Sequence, residues 1–193
     1  MGRAARKMRR ELHSENVMGL RVAAQALPEQ SFAGESLQAA CFDYCDLRRA
    51  DFNLADLLAA SFQEAVLHQA NFRGARLKHS DFYKSDCRRA CFQKALLRGA
   101  DFEGAILCGA QFEGSIIREA TFAGADLQHA RFLGADLREV DFSGADLRGA
   151  VYNSRTIWPT GMEPLDHGAF PVEWTPSESR DADSADDERV YTM

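Results

Sequence analysis

Residues 121–150 read TFAGADLQHARFLGADLREVDFSGADLRGA, six five-residue units in one unbroken register. Followed outward, the register holds from Gln30 to Tyr152, 25 units without an insertion. An aromatic stands at every tenth position: Phe32, Phe42, Phe52, Phe62, Phe72, Phe82, Phe92, Phe102, Phe112, Phe122, Phe132, Phe142 and then Tyr152. Midway between them come Leu37, Leu47, Leu57, Leu67, Leu77, Cys87, Leu97, Leu107, Ile117, Leu127, Leu137 and Leu147. Two residues before each of these centres stands alanine or another small residue, except in the first two units, which carry Gln30 and Glu35. Tandem self-similarity at a short fixed period is the signature of a solenoid.

A helix of period 3.6 carries a strict five-residue repeat off any single stripe, so helix is excluded. In an extended chain the small residue and the centre, two apart, both point inward. Five is odd, however, so the phase survives only if the two residues after the centre turn a corner and reset it. The second of them is glycine ten times, with only four glycines elsewhere in the chain. A tight turn with positive φ explains that preference. Each unit is one short side plus one corner.

The alternation of Phe and Leu-type centres decides how many sides close the coil. Three sides would set every phenylalanine under a leucine, whereas four place Phe on Phe and Leu on Leu. We expect four, hence an all-β solenoid of square section, about six coils and roughly 30 Å long at ~4.8 Å per stacked strand. Burial of each centre stabilises it by roughly 1.5–3 kcal/mol, and like-on-like aromatic stacking adds to that.

The unit A-D-L-x-x or A-x-F-x-x, as in Ala125-Asp126-Leu127, Ala135-Asp136-Leu137 and Ala145-Asp146-Leu147, resembles the pentapeptide repeat family. The resemblance covers about 120 of the 193 residues. It implies a right-handed quadrilateral β-helix, and it says little of function. Flanking the repeats at 30–152 we expect short caps: a basic arm or cap over 1–29, a C-terminal cap over 153–174, and an acidic disordered tail over 175–193. The arm carries six Lys/Arg against three acids, with apolar Met8, Leu12, Val17, Met18 and Leu20. It suits either a cover for the first coil or a contact with nucleic acid or acidic lipid. Trp158 and Pro159, in the stretch Thr156-Ile157-Trp158-Pro159-Thr160-Gly161-Met162-Glu163-Pro164, are expected to close the far end, with Trp174 adding to the lid. That stretch resembles the T-x-W-P-x-G-F-x-P segment that follows the repeats in some family members.

Nothing in the chain composes a catalytic site. The pairs Cys41/Cys45 and Cys87/Cys91 each split between an inward and an outward position and cannot converge on a metal. Five cysteines fit free thiols in a reducing compartment. No histidine falls beside a nucleophile on an adjacent coil, and no carboxylate pair lies in a cleft. We expect no enzyme activity, no cofactor and no metal. No apolar run approaches the roughly 18 residues that span a membrane, and no secretory core follows the basic start, so the expected place is the cytoplasm.

Taking every twentieth residue sorts the surface. On the wall of Phe42 to Phe142 the outward residues include Asp43, Glu64, Asp81, Asp101, Glu103 and Asp141 against one Lys84, with Tyr44 and Tyr83 among them. On the wall of Leu57 to Leu137 the column Lys78, Arg98, Arg118, Arg138 is answered by Glu119, Asp136 and Glu139. We read the acidic, tyrosine-bearing wall as a candidate protein-binding surface and the chain as a non-enzymatic scaffold, a monomer or a homodimer joined through its cap. The resemblance supplies an alternative. Quinolone-resistance members of the family look like duplex DNA and bind DNA gyrase, and a 30 Å mimic would need on the order of 15 to 20 negative charges at one per ~1.7 Å. The repeats hold 17 acids and 14 bases, a net −3, and no inserted loop. Direct nucleic-acid binding is disfavoured by the acids beside the arginine column.

Overall fold

The computed structural model describes residues 19–172. Within them the chain winds as a continuous square coil, because each outward residue before a centre bridges in parallel the residue twenty further on: Cys41 to Ser61, Ser61 to Asp81, Asp81 to Asp101 and so on for all four sides. The four-sided register expected from the Phe and Leu alternation is the observed one.

The unit around Phe82 shows why five residues suffice. Ser80 N–H closes the preceding turn on Leu77 O (3.1 Å), Asp81 N–H donates down to Ala60 O (2.9 Å), and Phe82 and Lys84 N–H donate up to Asp101 O and Glu103 O (2.6 and 2.9 Å). The remaining donor, Tyr83 N–H, is taken by the side chain of Asp81 (2.9 Å). Every backbone N–H of the unit is therefore satisfied. The turn from Phe82 to Ser85 has positive φ only at its third residue, Lys84 (52°), which is the type II pattern.

Both Phe walls form stacks whose rings meet in the middle of the tube. Phe82 lies 4.9 Å from Phe62 and 4.7 Å from Phe102, nearly parallel to both, and edge-on to Phe72 and Phe92 at 5.6 Å. Offset stacks along the axis and T-contacts across it are the two favoured aromatic geometries. Alanines fill the gaps. Where serine replaces alanine, its hydroxyl donates into its own turn, as Ser85 Oγ does to Phe82 O at 2.8 Å. Cys87 takes a Leu position fully buried, and burial pushes its thiol up to about 12.

Two expectations need correction, and the end of the coil adds a feature that the repeat does not carry. The coil begins before Gln30: Arg21 and Ala26 bridge Cys41 and Asp46, and Val22 and Leu27 are buried centres in the same register. Those units were hidden because Leu20 and Gln25 stand where a small residue was sought, and they are only half-buried. Phe142, expected in the core, is half-buried, since no further phenylalanine stacks on it; Trp158, which the Asp136–Ile157 bridge places over Leu137, reaches it only obliquely, 5.8 Å away and tilted. The register also slips by one residue after Tyr152, so that Asp136 bridges Ile157. The extra residue is Asn153, turned inward, whose Oδ1 accepts from Gly134 N–H and Arg155 N–H at 3.0 Å each.

Beyond Asn153 the chain lays a partial last coil over the end of the tube. Trp158 packs on Phe132, Phe142 and Tyr152, and Pro159 opens a turn closed by Met162 N–H. A short 3₁₀ helix, Pro164–His167, leads to Phe170–Pro171 (β2), which pairs in parallel with Val151–Tyr152 (β1). The arm before Gly19, Trp174 and the acidic tail lie outside the described residues.

Candidate interaction surface

The eight residues singled out on the acidic wall do share one face. Asp81, Asp101 and Asp141 belong to a single bridged column, Arg21-Cys41-Ser61-Asp81-Asp101-Thr121-Asp141. Asp43, Tyr83 and Glu103 follow their centres in the next column, and Tyr44 and Glu64 occupy the corner with positive φ, beside Lys84. The arrangement follows from the twenty-residue coil alone.

Their chemistry differs in a way composition did not reveal. Asp81, Asp101 and Asp141 each accept the N–H two residues on, from Tyr83, Glu103 and Ser143 at 2.9, 2.8 and 2.8 Å. Hydrogen bonds from Ser143 hold the Asp141 carboxyl below its ordinary range. Asp43 is similarly engaged, accepting from Cys41 Sγ (3.2 Å), Ser61 Oγ and Gln63 N–H (3.1 Å). Burial raises the Cys41 thiol above its usual value. These four carboxylates close turns as well as carry charge. Glu64 and Glu103 are exposed, and among the described residues neither carboxylate accepts a backbone N–H. Between them Lys84 lies over the Tyr83 ring, 4.8 Å from its centroid. The Tyr83 hydroxyl first, then Glu64 and Glu103, hold the Lys84 ammonium above its ordinary range. Tyr44 projects from the corner, 59% exposed.

What sets the face apart is the absence of ion pairs. Among the described residues no salt bridge lies on it, whereas each other face has at least one. The Leu37-to-Leu137 wall holds Arg98–Glu119, Arg118–Asp136 and Arg138–Asp136, so that three of the four cations of its column are paired in place. The Leu47-to-Leu147 wall repeats an Asp-x-Arg clasp at Asp46/Arg48, Asp86/Arg88 and Asp146/Arg148, and the Phe32-to-Phe132 wall has Arg131–Glu113. Exposed pairs of this kind contribute little to stability. They do decide which faces keep an uncompensated potential.

Elsewhere on the described surface no group of three or more His, Cys, Asp or Glu converges as a metal would require, and no helix is long and apolar enough to cross a membrane. The five cysteines are free.

Family models described as pentapeptide repeats, in eight copies, match residues 85–122, 95–132 and 115–151, and one described as a pentapeptide repeat region matches 27–102. Among solved structures the chain is similar to alr5209, a pentapeptide repeat protein of Nostoc Pcc 7120. The two are 26% identical with a TM-score of 0.52, over 53% of this chain and 84% of that one. It also matches QnrB1, a plasmid-mediated fluoroquinolone resistance protein (20% identity, TM-score 0.44, 72% and 85% covered). A third match is HetL of Nostoc sp. strain PCC 7120, a pentapeptide repeat protein involved in heterocyst differentiation regulation (20%, 0.36, 74% and 92%). No curated protein matches at a significant level. The family models, with alr5209, make the square coil the right-handed β-helix.

Proposed function

We propose, from the premise that this chain belongs to the pentapeptide repeat family, that it works as a non-enzymatic post presenting its acidic wall to a basic surface of a protein partner. One observation carries the reading: among the described residues the Phe42-to-Phe142 wall keeps six carboxylates, against Arg21 and Lys84, with no ion pair, beside two tyrosines, while each of the other three faces carries at least one ion pair. Uncompensated charge with aromatics among it is what steers and anchors a protein partner. The filled interior, whose centres are almost fully buried from Val22 to Leu137, leaves the outer surface to do the work. The five free thiols support a reducing compartment such as the cytoplasm as its place of work.

A mimic of duplex DNA acting on DNA gyrase is less well supported. Six carboxylates along the wall fall well short of the on the order of 15 to 20 charges that a duplex presents over the same ~30 Å.

The test uses Glu64→Lys with Glu103→Lys, since reversal of Asp81, Asp101 or Asp141 would also open a turn. Wild-type and variant chains with matched thermal midpoints are used for affinity purification from the native host. At least one basic partner should be lost by about tenfold or more on the variant, and wild-type capture should weaken at high salt. An identical partner set on both chains overturns the proposal.

A further inference from the structure

The chain itself contains a segment that fits the acidic wall. Residues 1–18 hold Arg3, Arg6, Lys7, Arg9 and Arg10 against Glu11 and Glu15. The described chain starts at Gly19, whose N–H bonds Gln38 O at a corner, and the next residues, Leu20 to Val22, begin the acidic wall. The basic segment is thus tethered at the foot of the one face on which no ion pair lies among the described residues.

Reach and charge agree. Glu103 stands four coils above Arg21, about 20 Å at ~4.8 Å per coil. Nine residue steps lead from Gly19 back to Arg10, which in extended form span about 30 Å. Arg10 and Arg9 can therefore come level with Glu64 and Glu103, and Lys7 lies within reach of the same carboxylates. On the other three faces the arm would have to compete with arginines already seated on the acids.

Resting on the reading of this wall as an interaction surface, we propose that residues 1–18 dock along the acidic wall of their own chain, as an internal competitor that a basic partner must displace. The tether favours the same chain over a second copy, because a short linker holds the arm at an effective concentration in the millimolar range. Docking through exposed charges is readily screened, which makes the arm a displaceable cover.

Lys7 is the only lysine in the segment and supplies the probe. The full-length protein is treated with a carbodiimide, which joins an amine to a carboxylate at contact distance, and the monomer band is digested for mass spectrometry. The expected result is Lys7 joined to Glu64, Glu103 or Asp101, with the yield falling about tenfold between ~20 mM and ~0.5 M salt. The variant Arg6→Ser with Arg9→Ser and Arg10→Ser should lower that yield and raise partner capture severalfold. Lys7 found only on the acidic tail, only on other faces, only in a dimer band, or unlinked overturns the proposal, as does a variant that captures less partner. The two readings fail separately. If Lys7 links to the wall while Glu64→Lys with Glu103→Lys leaves capture unchanged, the arm docks and the partner surface lies elsewhere. If capture is lost on that variant and Lys7 never links, the wall binds a partner and the arm does not cover it.

Discussion

From Val22 to Lys94, thirteen of the fifteen corner residues with positive φ carry a side chain, whereas from Leu97 to Gly149 eight of eleven are glycine. The backbone is the same in both halves, with corner φ values of about 50 to 75°. The demand is set by the type II turn, and glycine is only one way to meet it. The side chains tolerated there are unbranched at Cβ: alanine, glutamate, glutamine, arginine, lysine, leucine, tyrosine and histidine occur, and valine, isoleucine and threonine do not. That is the steric rule for left-handed backbone.

Glycine in the second half answers a further demand at several corners. His79 leans over Gly99, where a Cβ would stand 2.5 Å from its Nδ1, and the stem of Lys84 lies over Gly104. At Gly124 there is open space, so only the backbone conformation is in question. The halves thus differ at the rim and agree in the core.

The sharpest way to break this comparison is through the core. If the halves differ only at their corners, Phe62→Ala and Phe122→Ala should lose the same stability, about 4 kcal/mol each. Both rings are fully buried and stacked on each side. Denaturant titration of the two variants measures it. A difference above about 2 kcal/mol would show that the interior is not equivalent along the rod.

A smaller effect isolates the corner. Gly124→Ala should cost about 1 kcal/mol and Gly124→Val clearly more, because no neighbour obstructs the new side chain and strain at positive φ remains. The reverse change in the first half, Ala59→Gly, should fall within about 0.5 kcal/mol of zero, as relieved strain offsets the greater freedom of glycine in the unfolded chain. Equal losses for alanine and valine at 124 would refute the steric account of the column.

The coil itself was legible because its evidence is periodic. Phe82 under Phe102 follows from counting twenty residues, and no other feature of the chain competes with that count. Val22 and Leu27 were in the same register and went unread, since the rule was tied to a small residue and the opening coil has Leu20 and Gln25 there. Asn153 carries no periodic signal at all. Its role comes from one inserted residue that aims an amide at Gly134. The acidic wall was legible as a place and not as chemistry. Whether a carboxylate is free depends on which N–H it meets. Asp81 and Glu64 look alike in composition, yet Asp81 sits before its centre, where the spare N–H of Tyr83 is within reach, and Glu64 sits at the corner. The spacing of Asp in A-D-L held that information, since an aspartate regularly accepts the N–H two residues on.

That same spacing gives the smallest prediction, and it should ignore the boundary between the halves. Asp86 and Asp146, one in each, accept from the N–H and the guanidinium of the arginine two residues on. Those side-chain bonds hold the Asp86 carboxyl below its ordinary value and bring Asp146 down to about 2. A carboxylate whose folded value is depressed stabilises the fold fully above its unfolded value, near 3.8 here, and loses that contribution as pH falls toward the folded one. Stability of the wild type should therefore decline between about pH 4 and pH 2, and Asp146→Asn and Asp86→Asn should each flatten that decline slightly and alike. Thermal midpoints recorded against pH decide it. A flattening for Asp146→Asn alone would mean that the upper half, where glycine corners dominate, relies on its Asp-Arg clasps in a way the lower half does not.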